Sequence, residues 1–316
     1  MIRNLQNMTE IKLVSIAVAT YNGGNHIEEQ LNSLLRQDYP LLEIIISDDG
    51  STDSTLSIIA ALQSTHSNIT CINNERGKGI KKNFENALMH CTGAYIALCD
   101  QDDIWMPEKI SRLVGAIGNY SLVYHNSLFV NEKGESLHKT MSHKMNCYTG
   151  SNPEVFLLHN CISGHAALFD RDLLSVTLPF PEAKYHDWWL AFVAASRNGV
   201  LYLPEVLVHY RQHQSSKTDM LKRKKDFRHQ KEFIRYKEEL EWFGKCAEKE
   251  QKMQPFFLEW HRRYAQRENK WVCTWLFTTA LKNRKTLYAI PKKGTLGQFL
   301  LALKLLWGIK MKKLIG

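Results

Sequence analysis

The chain has 316 residues, 44% of them apolar and 23% charged, with only 8 prolines, which excludes a mainly disordered, collagenous or low-complexity polymer. That length suits one α/β domain with a smaller appendage. The formal charge of +9 resembles that of a nucleic-acid binder, but ten Lys or Arg and no acidic residue follow Glu268, and the preceding 268 residues are close to neutral. Charge confined behind a neutral domain does not track a groove, so no nucleic-acid partner is expected.

Seven cysteines, with no C-x-x-C pair and no metal-finger spacing, read as reduced cytosolic thiols. The opening MIRNLQNMTEIKL has no apolar h-region, and no run of 18 apolar residues occurs, so the expected location is cytoplasmic.

In chain order, 12–20 (KLVSIAVAT) is β-branched and nearly continuously apolar, as a strand covered on both faces requires. Residues 26–37 carry Ile27, Leu31, Leu34 and Leu35 at helical spacing, and Pro40 marks the exit. A second strand (42–47), helix (53–62), third strand (69–73), third helix (80–90) and fourth strand (94–99) repeat the order, which implies right-handed crossovers onto a mostly parallel sheet. Beyond 107–118 the pattern changes to a strand-like 122–130, a turn at 131–134 and less regular segments, then an apolar run at 200–208. Residues 217–270 are charge-rich and helical in period, and 271–316 are basic with aromatic and leucine clusters. The expected organisation is a catalytic domain over 1–215, its halves meeting near residue 120, and a helical basic extension over 216–316.

Polar residues gather at the predicted strand ends: Thr20-Tyr21-Asn22, Asp48-Asp49-Gly50-Ser51 and Asp100-Gln101-Asp102-Asp103. Open α/β sheets bind ligands along that edge. The segment CDQDDIW places three carboxylates within four residues. Asp100 and Asp102 could offer oxygens to a hard divalent cation bridging a diphosphate, with Asp103 orienting the loop or capping a helix; the competing reading is a solvated acidic turn. Asp53 reads as a helix cap, and Asp49 as a carboxylate placed to accept from a base or ribose.

VSIAVATYNG, EIIISDDGSTDST, GAYIALCDQDDIW, ISGHAALFDRDLL and HDWWL together resemble the inverting glycosyltransferase family 2 with the GT-A fold, closest in flavour to bacterial rhamnosyltransferase-like enzymes of surface polysaccharide synthesis. The resemblance covers residues 12–215. It implies that Thr20 and Tyr21 lie beside the nucleotide base, that Asp49 grips base or ribose, and that Asp100 and neighbouring Gln101 meet the donor. It also implies that Asp102, with Asp100, ligates Mg²⁺ or Mn²⁺, and that Asp187 is the catalytic base, His186 standing where the family usually has an acidic residue. Gly164 and His165 resemble the acceptor-side segment, His165 reading equally as a satisfied structural histidine. Trp105 resembles an aromatic lid or a packing residue, and of Trp188 and Trp189 only one can face a sugar, because adjacent helical positions diverge by about 100°. Arg211 and His213 are expected to close over the diphosphate, His213 joining the metal shell, and Arg76, Lys78 and Lys82 to offer basic groups to base or phosphate.

One carboxylate suffices for an inverting transfer whose leaving group is a nucleoside diphosphate, whereas a hydrolase pairs two across a glycosidic bond. The implied reaction moves a sugar from dTDP-rhamnose or a UDP-hexose to a saccharide, or to a lipid-linked glycan. A metal-dependent nucleotidyltransferase, a nucleic-acid binder or a silent scaffold are the competing functions. The stretch 296–309 (LGQFLLALKLLWGI) with Lys310, Lys312 and Lys313 reads either as a helix lying on an anionic membrane, on the cytoplasmic face of the inner membrane, or as one packed on the catalytic domain or a second subunit.

Overall fold

The computed structural model describes residues 11–212, 229–250 and 253–311. Strand β1 (Val14–Thr20) is buried at every position, as its unbroken apolar sequence requires. It is followed by α1 (Ile27–Leu35), β2 (Leu42–Asp48), α2 (Thr55–Gln63), β3 (Ile69–Asn73), α3 (Ile80–Met89) and β4 (Tyr95–Asp100), the expected alternation. Then come β5 (Ile104–Trp105), α4 (Lys109–Ile117), β6 (Leu122–Val130), β7 (Ser136–Thr140), α5 (Met141–Lys144), β8 (Ala167–Asp170), α6 (Leu174–Thr177), α7 (His186–Ala195) and β9 (Val200–Arg211).

One nine-stranded sheet runs β3-β2-β1-β4-β8-β6-β9-β5, with β7 on β6. Strands β1 to β4 are parallel, β8 is antiparallel to both β4 and β6, and β9 returns parallel to β6. Register pairs Thr20 with Asp48, Asp48 with Asn73, and Ala19 with Asp100, so the polar strand ends form one row at the C-terminal edge.

Alternation along β1 divides the core. Val14, Ile16 and Val18 pack with Leu31, Leu34, Ile110 and Leu113 on one face; Ala17 and Ala19 meet Phe84, Leu88 and the α7 residues on the other. Strand β9 runs to Arg211, three residues beyond the apolar segment: its register against β6 shifts at Pro204-Glu205 and again at Leu207, after which His209–Arg211 pair with Leu128–Val130.

The extension comprises α8 (His229–Lys249), α9 (Gln254–Ala265), α10 (Thr274–Lys282), α11 (Arg284–Leu287) and α12 (Thr295–Leu306). It shares the second core: Trp242 of α8 is fully buried, packs on Trp188, Trp189 and Phe192, and donates its indole N–H to the Leu157 carbonyl at 2.9 Å. No described helix is long and apolar enough to cross a membrane. All seven cysteines are free, and five are buried.

Candidate active site

The site is built on the strand ends. Thr20 is buried, its hydroxyl 2.9 Å from Gln101 Oε1, and Gln101 brackets Tyr21 by accepting from its N–H at 2.8 Å and donating to its carbonyl at 3.2 Å. These bonds fix the β1 and β4 ends together and leave the Tyr21 ring 54% exposed on the rim.

Asp48 folds the DDGS turn by accepting from Gly50 N–H, Ser51 N–H and the Ser51 hydroxyl, with Gly50 at φ +86°. The next carboxylate, Asp49, accepts from Gly79 N–H and Asn74 Nδ2, both at 2.8 Å, and Lys78 lies 3.8 Å away. Asp53, expected to cap α2, is not its N-cap residue, which is Ser54 and makes no side-chain cap; Asp53 accepts from the N–H and hydroxyl of Thr55 and from Gly24 N–H, tying the start of α2 to the first loop. Arg76 is exposed beside this cluster. Lys82, expected near phosphate, instead pairs with buried Glu85 at 2.9 Å, and Glu85 holds the Phe180 N–H.

The acidic loop after β4 differs from expectation in its ligand set. Among the described residues the carboxylate and imidazole atoms that cluster, all within 4.8 Å, belong to Asp100, Asp103 and His165, not to Asp102, and His213 lies outside the described residues. Asp103 is fully buried, accepts from the Arg211 N–H at 3.0 Å, and has its Oδ2 without a hydrogen-bond partner; His165 Nδ1 is 3.7 Å from it. Burial, then Asp102 and Asp100, push the Asp103 carboxyl well above the usual range. Asp100 is held below it: burial opposes ionisation, but the neighbouring His165 ring outweighs that. An orphaned buried oxygen, an ionised carboxylate and an imidazole are a donor set that fits a hard or borderline divalent cation.

Two further expectations are corrected here. Trp105 is 2% exposed, packed in the core with the Lys109 ammonium 3.0 Å from its ring centroid, so it is not a lid. It points inward because β5 pairs with β9 and the chain turns at once into α4. Arg211 is buried at the end of β9, donating to the carbonyls of Asp102 at 2.8 Å and Glu132 at 2.5 Å and pairing with Glu29 at 2.6 Å. Fully engaged, it braces the acidic loop and does not close over a diphosphate.

Sequence reasoning missed Lys109, whose buried amine donates to the His165 carbonyl at 2.6 Å and is held well below the ordinary lysine range by burial. The signal was its position on one helical face with Leu113 and Ile117. It also missed Ser127, 2.9 Å from His165 Nε2, and the Tyr210 ring tilted against His165 with centroids 4.2 Å apart.

Across from the acidic loop, α7 opens with His186, Asp187 and Trp188. With Asp100, Asn160, Gly164, His165 and Tyr185 they line a cavity of about 170 Å³. Gly164 is needed there because a Cβ would come within 3.0 Å of the His186 ring. Burial pushes the Asp187 carboxyl up to about 7, the Trp188 N–H at 2.6 Å opposing and the Asp100 charge adding to it. His186, its ring tilted against Phe84 with centroids 4.4 Å apart, is driven down to about 4 by burial, and neither ring nitrogen has a hydrogen-bond partner. Trp188 lines the cavity with its N–H anchored on the Phe156 carbonyl, while Trp189 turns into the core, the division expected of adjacent helical positions.

A mixed α/β sheet with flanking helices, its acidic strand ends facing a small cavity that holds a carboxyl raised to about 7, has the GT-A architecture. The chain belongs to glycosyl transferase family 2, whose family model matches residues 15–177. It is 29% identical over 217 residues to the Escherichia coli UDP-Glc:alpha-D-GlcNAc-diphosphoundecaprenol beta-1,3-glucosyltransferase WfgD, covering 65% of this chain and 79% of that one. To the E. coli enzyme of the same description, WfaP, it is 32% identical over 185 residues, covering 57% and 70%. The fold is shared with the crystal structure of S. aureus TarS 1-349 in complex with UDP-GlcNAc, at a TM-score of 0.59 and 19% identity, over 93% of this chain and 84% of that one.

Proposed function

We propose that this glycosyltransferase moves a hexose, with inversion, from a UDP-sugar to the sugar of a lipid-linked acceptor, with Asp187 as general base. The observation that carries the reading is the Asp187 carboxyl, held near 7 in the wall of the cavity that also contains Asp100. A base poised near the operating pH takes the proton of the acceptor hydroxyl as its oxygen attacks the anomeric carbon. The bond from that carbon to the diphosphate oxygen breaks on the opposite face, and UDP leaves with the electron pair.

Of the two donors left open by the motifs, dTDP-rhamnose and a UDP-hexose, the names of the relatives favour UDP-glucose. Tyr21, Asp49 and Arg76 would meet its nucleoside and phosphates at the exposed rim. The open nitrogens of neutral His186 suit sugar hydroxyls, and the Trp188 ring offers an apolar face. Mn²⁺ or Mg²⁺ would be held by Asp100 with Asp103 and His165, or with Asp102, and when bound supplies neutralisation of the leaving diphosphate.

Asp187→Asn tests the assignment. Transfer from UDP-glucose to a GlcNAc-diphosphate lipid should fall about 10²–10⁴-fold, the usual contribution of a positioned base, while UDP still binds by calorimetry. Turnover within threefold of wild type would sink Asp187 as base, and release of glucose 1-phosphate in place of UDP would mark transfer of the nucleotidyl group instead of the sugar.

A further inference from the structure

A second cavity, of about 580 Å³, lies between the catalytic core and the C-terminal helices, and the transfer chemistry above does not use it. Its volume is in the range of small-molecule sites, whereas the Asp187 cavity is much smaller. Much of its wall is apolar, including Leu158, Phe243, Leu301, Leu305 and Ile309, and its charged groups are Arg235, Arg267, Lys304 and Glu239.

Glu239 is neutralised already, pairing with Arg235 at 2.8 Å and accepting from the Tyr264 hydroxyl. Arg267 is not. It is 3% exposed, donates through Nη2 only to the carbonyls of Trp307 at 2.9 Å and Lys304 at 3.4 Å, and has no hydrogen-bond partner at Nε. No described carboxylate pairs with it or with Lys304. The Tyr288 hydroxyl, in the same wall, is buried and unpartnered too. A buried guanidinium without a counter-charge is costly, and so is a buried hydroxyl without a partner, unless a ligand completes them. An anion with an apolar body meets every feature of this wall.

Placement narrows the occupant. His159 lines this cavity and Asn160 lines the Asp187 cavity, so consecutive residues, about 3.8 Å apart at Cα, separate the two. On α12, Leu301, Lys304 and Leu305 face the cavity while Leu296, Phe299 and Leu300 stand exposed, which gives an apolar chain a route outward. We infer that this cavity binds the isoprenoid diphosphate portion of the acceptor, with Arg267, Lys304 and Tyr288 taking the diphosphate and the apolar wall taking the first isoprene units. The inference rests on the lipid-linked reading of the acceptor.

The test is calorimetric titration of the full chain with farnesyl diphosphate, farnesol and inorganic pyrophosphate, using wild type, Arg267→Met and Lys304→Gln, with circular dichroism as the check on fold and UDP binding as a separate readout of the donor site. Farnesyl diphosphate should bind saturably, at least tenfold more tightly than farnesol or pyrophosphate, and each substitution should weaken it at least tenfold. No saturable binding by folded protein would overturn the inference, as would unchanged affinity in both variants. Pyrophosphate binding as tightly as farnesyl diphosphate would replace it with a free-phosphate site. Lys304 is exposed, so its variant decides the matter if Arg267→Met fails to fold. Failure of wild type to bind UDP would instead count against the donor reading and leave the farnesyl result legible.

Discussion

On the proposed assignment of Asp187 as base, the protonation state of one side chain controls turnover. Its carboxyl titrates near 7 because burial and the Asp100 charge disfavour the anion, and only the anion accepts a proton. The profile of kcat/KM should therefore rise with pH through about 7 and level off above it; a flat profile between about pH 5.5 and 8.5 would exclude Asp187 as the titrating base. The same shift has a stability sign. A carboxyl raised from 3.8 to about 7 on folding favours the folded state while it stays protonated, and that stabilisation is lost as pH rises from the lower value through the upper one. Asp187→Asn, which cannot ionise, should thus melt above wild type at pH 8 by scanning calorimetry, a site trading stability for chemistry. At this scale Asp49, Asp100 and Asp187 were legible as residues of the sheet edge and cavity. Arg211 was misread, and of the two readings open for Trp105 packing is the one that holds, because an aromatic or cationic residue beside a motif looks like a ligand contact until register decides that it points inward.

At the scale of elements, the parallel strands and crossover helices were legible because a doubly covered strand must be apolar throughout. The length of β9 was not: a Pro-containing bulge and the polar ending His209-Tyr210-Arg211 hide a strand whose pairing comes from β6, distant in sequence. Helix α8 was visible as a helix, but its partner was not, since a periodic pattern shows that a face is buried and not against what. Trp242 supplies the answer, standing between α7 and the segment at Leu157. Trp242→Ala should cost about 3–5 kcal/mol in chemical denaturation, the range for a large aromatic removed from a close-packed core. A loss below about 1 kcal/mol would show that the extension docks without sharing the core.

For the whole molecule, charge and apolar surface converge on one region. Lys292, Lys293 and Lys310 flank α12, which exposes Leu296, Phe299 and Leu300 near exposed Trp271 and Val272. A basic, apolar face of this kind suits the surface of an anionic bilayer. Sedimentation with vesicles containing phosphatidylglycerol should capture the protein at low salt, release it as salt rises, and capture Phe299→Glu/Leu300→Glu several-fold less. Equal capture by neutral vesicles or by the double variant would remove the membrane from the account.

The buried thiols bear on how such questions can be asked. Burial pushes Cys71 up to about 11 and Cys91 and Cys161 to about 12, and raises Cys99, Cys147, Cys246 and Cys273 as well. A thiol at about 11 is ionised to roughly one part in 10⁴ at neutral pH, and the thiolate is the form that alkylates. The native thiols should therefore react slowly with maleimides, which a thiol-labelling time course on the folded protein checks. One cysteine introduced at Leu300 would carry a fluorophore or spin label against that background, reporting whether α12 meets a bilayer at all without stripping the protein of its own sulfur.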